Sequence, residues 1–251
     1  MALLETTDVW KRFYGLDVLR GVSLHVHPGE VVGLIGPNGS GKTTLFNCIT
    51  GQYSVDAGRV VFKGRDITGY SPHRVCGLGV TRTFQMVQVY PGLSVRDNLL
   101  VALQEHQERS VLARVLRVAR VREAEARARD RAAALLEEFA LVRLADQPAG
   151  VLSYGQRKLL EFASALMAEP ELILLDEPAA AVNPTMIERM KEHVRRIHAR
   201  GKAFLIIEHN MSVVMDICER VVVLDHGEKI AEGVPAEIQR DPQVLQAYFG
   251  R

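Results

Sequence analysis

Apolar residues in the first third of the chain fall where strands would put them. Val18, Val22, Leu24 and Val26 are β-type positions, and Pro28-Gly29-Glu30 supplies a turn before the apolar run Val31-Val32-Gly33-Leu34-Ile35. Leu45-Phe46-Asn47-Cys48-Ile49 follows at helical spacing. Residues 58–68 predict a short hairpin around Val60-Val61-Phe62, and residues 77–85 close the β-rich part on the polar Gln85. From Val95 to Ala165 the chain turns helix-forming. Val111, Leu112, Val115 and Leu116 recur at helical spacing, and eight arginines in residues 109–131 interleave with acids and alanines, as on a solvated helical hairpin. A helix over 157–167 precedes the apolar strand Glu171-Leu172-Ile173-Leu174-Leu175-Asp176-Glu177-Pro178. Helix 184–200, strand 203–208, helix 211–218 and strand 221–225 then alternate. That alternation predicts an α/β fold with a mostly parallel sheet, whose ligands gather at the carboxyl ends of the strands.

Composition narrows the setting. With 251 residues, 47% of them hydrophobic and 24% charged, the chain is long enough for a sizeable core and has the balance of a soluble globular protein. A net charge of +1 offers no strong field for nucleic acid or anionic lipid. Cys48, Cys76 and Cys218 form no C-x-x-C pair and are odd in number, which reads as reduced thiols in a cytosolic protein. The start Met1-Ala2-Leu3-Leu4-Glu5 lacks a basic, apolar secretory pattern, and no run approaches the roughly 18 apolar residues of a membrane span. Service to a membrane is therefore expected through another chain.

The chemistry centres on Gly36-Pro37-Asn38-Gly39-Ser40-Gly41-Lys42-Thr43-Thr44, which fits G-x-x-x-x-G-K-[ST] between a strand and a helix. Such a loop turns its backbone N–H groups inward toward phosphate, and the helix N-terminus adds partial positive charge. Lys42 is expected on the β and γ phosphates of a nucleotide, Thr43 on Mg²⁺, and Thr44 on the α phosphate. Asp176 ends an apolar strand, where packing gives a carboxylate no reason to be; it is expected to reach Mg²⁺ through water. Glu177 is placed to act on the attacking water as general base. His209, after strand 204–208, is positioned to contact a γ phosphate, and Gln85 to touch metal and water. Upstream, Phe13 or Tyr14 in Lys11-Arg12-Phe13-Tyr14-Gly15 offers an aromatic face for a purine ring.

Taken in order along nearly the whole chain, these motifs resemble the ATP-binding subunits of ABC transporters. Residues 36–44 are similar to the Walker A loop, Gln85 to the Q-loop glutamine, and Leu152-Ser153-Tyr154-Gly155-Gln156 to the signature motif. Leu172 to Glu177 resemble the Walker B strand, and His209 the switch histidine; Phe13 looks like the adenine-stacking aromatic, with Tyr14 as the other candidate. The resemblance implies a P-loop ABC-type ATPase core of residues 1–94 and 166–251, with an N-terminal antiparallel β part and an inserted helical subdomain at 95–165. It further implies a head-to-tail pair of ATP-binding subunits, same or different. Each ATP, with its Mg²⁺, would be clamped between one Walker A loop and Ser153, Gly155 and Gln156 of the other subunit. Implied partners are transmembrane permease subunits and, indirectly, a substrate-binding protein, at the cytoplasmic face of the membrane; nucleic acid is not among them. Tyr154 stands where glycine is most frequent in the signature, and Asn183 where aspartate is usual.

Those departures, with Arg82-Thr83-Phe84-Gln85, Asp176-Glu177-Pro178-Ala179-Ala180, Ile207-Glu208-His209-Asn210-Met211 and the ending Ala247-Tyr248-Phe249-Gly250, resemble the branch serving branched-chain amino acid uptake. Importers of urea, amides or another amino acid are the alternative. A soluble ABC-type ATPase of DNA repair fits less well, since the helical stretch has neither sustained heptads nor a cysteine pair. A translation factor of this kind would carry two phosphate loops, and only one is present.

Overall fold

A computed structural model describes residues 1–84, 86–103 and 118–249, residues 118–121 by backbone alone. Gln85 and the apolar set Val111, Leu112, Val115 and Leu116 lie outside the described residues. The chain divides into two compact units, Met1–Gln85 with Pro170–Arg251, and Met86–Glu169.

The first unit opens with the hairpin β1 (Leu4–Phe13) and β2 (Leu16–Val26), followed by β3 (Val31–Ile35) and α1 (Lys42–Ile49). Next come β4 (Ala57–Phe62), β5 (Arg65–Asp66), α2 (Pro72–Gly77) and β6 (Val80–Arg82). Strands β2, β1, β4 and β5 form an antiparallel sheet in that order. The second unit holds α3 (Val95–Ala102), α4 (Val118–Glu138) and α5 (Tyr154–Leu166), with single 3₁₀ turns at Val142–Leu144 and Ala149–Val151. Returning to the first unit, β7 (Leu172–Asp176), α6 (Pro184–His198), β8 (Ala203–Ile207), α7 (Met211–Ile217) and β9 (Arg220–Asp225) alternate as the sequence pattern predicts. Strand β10 (Glu228–Gly233) and helices α8 (Pro235–Ile238) and α9 (Pro242–Phe249) finish the chain.

The second sheet runs β10-β9-β3-β8-β7-β6, parallel throughout except for β10. Its central strands β3, β7 and β8 are buried at every position, as expected of a parallel sheet covered on both faces. Leu34, Leu45, Phe46, Leu174, Leu205 and Val222 share one apolar cluster with Leu4, Val22, Val60 and Phe62 of the antiparallel sheet. The two sheets therefore enclose a common core, and α1 with its phosphate loop is wedged into it. The parallel order puts the carboxyl ends of β3, β7 and β8 side by side, which is the geometry that gathers a ligand site.

Two details go beyond the sequence pattern. The end of the β-rich stretch supplies β6, which pairs with β7 in the parallel sheet, Arg82 opposite Leu174. The helix expected from residue 157 starts a turn earlier, because Ser153 caps it: Gln156 N–H donates to Ser153 Oγ at 3.3 Å and Ser153 N–H to Gln156 Oε1 at 2.9 Å.

The thiols follow the same burial. Desolvation pushes Cys48 up to about 11 and Cys218 up to about 12, whereas Cys76 is exposed. Maleimide labelling of native protein at neutral pH is expected to modify Cys76 only, and all three cysteines after denaturation. Mass spectrometry showing native labelling of Cys218 would contradict this packing.

Candidate nucleotide site

The phosphate loop is shaped by what lies beneath it. Gly36 has φ 148°, and a Cβ there would sit 2.0 Å from the Leu224 carbonyl oxygen on β9. Gly41 has φ 101°, and its Cβ would meet Leu19 Cδ2 at 2.8 Å and the Val18 carbonyl at 2.9 Å. Only glycine permits these approaches. The β9–β10 turn completes the support: Gly227 N–H donates to the Ser40 carbonyl at 3.1 Å, and Arg20 N–H to the Gly227 carbonyl at 2.8 Å. Strand β2, which leads from the aromatic hairpin tip, is thereby fastened to the loop.

Lys42 is buried and curls over the loop. Its ammonium donates to the Gly36 carbonyl at 2.9 Å, the Pro37 carbonyl at 2.8 Å and Ser40 Oγ at 3.3 Å. Burial lowers its pKa from the ordinary lysine value, while Glu177 and Asp176 pull it back up. That coupling puts the lysine and both carboxylates of the β7 end within one electrostatic neighbourhood.

Asp176 is 1% exposed and closes β7. Its Oδ2 accepts from Arg82 Nη2 at 2.6 Å, and its backbone N–H donates to Thr83 Oγ1 at 3.3 Å. Burial raises the Asp176 pKa; the Arg82 hydrogen bond and charge act against it. Asp176 Oδ1 is buried with no hydrogen-bond partner among the described residues. An orphaned carboxylate oxygen beside a glycine cradle is what a hydrated cation and a polyphosphate require, so the residues present fit Mg²⁺ and nucleotide.

Glu177 takes a left-handed backbone, φ 50°, unusual for a residue with a side chain and of order 1 kcal/mol unfavourable. The turn is held by Glu177 N–H donating to the Ile207 carbonyl at 2.9 Å. This bend brings Glu177 Oε1 to 3.0 Å from His209 Nε2. The pair predicted separately from two strand ends is thus one contact. Glu208, buried next to His209 in sequence, accepts from Ala179 N–H at 2.7 Å and from His209 and Asn210 N–H at 3.1 and 3.2 Å. It ties the loop after β7 to the loop after β8, a role that its place in the strand did not disclose.

Phe13 is half-buried, edge-to-face with Tyr53 at 5.2 Å, with Lys11 Nζ 5.3 Å from its ring centre. Tyr14 is fully exposed at the hairpin turn with φ 51°. In the second unit, exposed Ser153 begins α5 with Tyr154 and Gly155 in its first turn, and Gln156 is occupied in the cap. Lys158 Nζ lies 5.6 Å from the Tyr154 ring centre. Asn183 caps α6 by accepting from Met186 N–H at 2.9 Å, so the amide keeps the capping bond that an aspartate would make.

Comparison with known proteins agrees in extent and kind. The family model described as ABC transporter matches residues 19–180. A second model, described as branched-chain amino acid ATP-binding cassette transporter, matches residues 228–251. The high-affinity branched-chain amino acid transport ATP-binding protein BraF of Pseudomonas aeruginosa is 39% identical over 99% of this chain and 98% of its own. The corresponding LivG of Escherichia coli K12 is 37% identical over the same shares. Among solved structures, a nucleotide-free ATP-binding cassette from an ABC transporter superposes with a TM-score of 0.87 at 37% identity, each chain fully covered. The ADP conformation of an ATP-binding cassette gives 0.86 at 36%, again with full coverage.

Proposed function

Because the chain belongs to the ABC transporter family of ATP-binding proteins, we propose that its Glu177–His209 pair, beside Lys42 and Asp176, is the hydrolytic centre of an importer's ATPase subunit. The 3.0 Å contact between Glu177 and His209 is the observation that carries this reading. ATP hydrolysis coupled to transport is the activity of the family.

Each residue then has a task. Backbone N–H groups of Gly36, Asn38, Gly39, Ser40 and Gly41 cradle the phosphates, helped by the N-terminus of α1, while Pro37, which has no N–H, shapes the loop that presents them. Lys42 exchanges its loop carbonyls for β and γ phosphate oxygens, and Thr44 serves the α phosphate. Thr43 and Asp176 hold Mg²⁺, Asp176 through water, with Gln85 as a further contact to metal and nucleophile. Bound there, Mg²⁺ offsets the charge of the phosphates during transfer. Glu177 accepts the proton of the attacking water, and His209 orients Glu177 and donates toward the γ phosphate. Phe13, backed by Tyr53, stacks on the adenine, with Tyr14 as the other candidate. Ser153, Gly155 and Gln156 face the γ phosphate held by a second ATP-binding subunit, identical or related.

The further assignments are a core of 1–94 and 166–251 and a helical subdomain at 95–165, with the surface around residues 85–90 and the 95–150 lobe receiving transmembrane permease subunits. Met86 and Tyr90, 78% and 58% exposed, supply apolar surface directly after Gln85 for that contact. The chain works from the cytoplasmic face through those subunits, with a substrate-binding protein as indirect partner; no helix among the described residues is long and apolar enough to cross a membrane. The solute is a branched-chain amino acid, as the names of the relatives and the match at 228–251 favour. Urea, an amide or another amino acid is the alternative. Single cysteines at residues 87–90 are expected to cross-link to a membrane subunit in native membranes. Capture of no membrane protein from any of the four positions would contradict the docking assignment.

A further inference from the structure

Arg82 lies outside the hydrolytic pair, yet its guanidinium is enclosed close to it. Its side chain is 6% exposed and that of Asp176 is 1% exposed. Nη2 donates to Asp176 Oδ2 at 2.6 Å, and Nη1 donates to Asn47 Oδ1 on α1. The Phe46 and Phe84 ring centres stand 5.5 and 5.2 Å from the guanidinium carbon, so aromatic rings flank the group. Asn47 belongs to the same helix as Thr43, one turn further along. A continuous chain therefore runs from α1 through Asn47 and Arg82 to the Walker B carboxylate, and its partners are separated by 35 and 94 positions in sequence.

We propose that Arg82 is a positioning residue for the metal site, its guanidinium bridging Asn47 and Asp176 so that the two metal-facing groups, Thr43 and Asp176 Oδ1, are held at a set spacing. A lone carboxylate at a strand end has several rotamers. Anchoring Oδ2 selects one, and Oδ1 is the atom left without a partner among the described residues. Arginine suits this role because its planar fork makes two divergent bonds in a fixed relation, which the point charge of lysine does not. The burial of both ends explains why the pair must stay intact: removing one partner strands the other charge in the interior.

The inference rests on the nucleotide reading above and is tested by metal affinity, not turnover. Mn²⁺ binding to the ADP-loaded protein is followed by electron paramagnetic resonance, and ADP affinity is measured separately without metal. Arg82→Gln is expected to weaken Mn²⁺ about tenfold to a hundredfold, the range typical of lost outer partners of metal ligands, with metal-free ADP affinity unchanged. Arg82→Lys should recover only part of the loss. Asn47→Ala, which leaves the buried ion pair in place, should weaken Mn²⁺ in the same direction by less, and it decides the matter if Arg82→Gln does not fold. Folded variants with wild-type Mn²⁺ affinity would overturn the inference while leaving the nucleotide site standing. Wild-type protein that binds ADP without recruiting Mn²⁺ would likewise overturn the inference, whereas wild-type protein that binds no ADP would remove the nucleotide reading itself, and this inference with it.

Discussion

Glu177→Gln is expected to lower steady-state ATP turnover by roughly 10²–10⁴-fold, the usual contribution of a positioned general base, while ATP still binds. The amide preserves size and leaves His209 a hydrogen-bonding neighbour, but it accepts no proton from water. The left-handed turn at 177 and its bond to the Ile207 carbonyl belong to the backbone, so the substitution leaves the loop where it is. Phosphate release under saturating Mg-ATP measures the effect. Turnover near the wild-type rate would mean that another group activates the water, and that the Glu177–His209 contact is structural.

Lys42→Ala is expected to weaken ATP binding by about tenfold to a hundredfold, the equivalent of one hydrogen bond to a charged group at about 1.5–3 kcal/mol. The ammonium is lost from beside the phosphates, and the loop also loses the three bonds that draw the Gly36 and Pro37 carbonyls and Ser40 Oγ together. Lys42→Arg is not a mild replacement, because the larger fork does not fit a buried position enclosed by loop carbonyls. Titration calorimetry with ATP in excess Mg²⁺ gives the affinity directly. Binding at the wild-type level would show that the curled lysine never turns to the nucleotide.

What the sequence made legible is what is local. The phosphate loop and the Asp176-Glu177 strand end are contiguous, so spacing alone carries them, and the alternation after residue 171 predicts a parallel sheet, though not the order of its strands. The capping box at Ser153 is written as Ser-x-x-Gln, a local signal that accounts for the start of α5 at Tyr154. Strand β6 escaped because three residues, Val80–Arg82, hold too little periodicity to say which sheet they join. The bonds of Arg82 to Asn47 and Asp176, and the grip of Glu208 on both loops, depend on side chains brought together by the sheet. No spacing rule reports them. An arginine next to a sheet end is only a polar edge residue until the neighbouring strand is known.

In the proposed cycle two ATP-binding subunits close on ATP, each completing the other's site with Ser153 and Gly155. Light scattering coupled to size exclusion, on Glu177→Gln protein alone and together with any ATP-binding chain that co-purifies from membranes, tests it most directly. The account predicts a mass of two subunits in Mg-ATP and of one in Mg-ADP. A protein that binds ATP but stays at the mass of one subunit in both samples would contradict it.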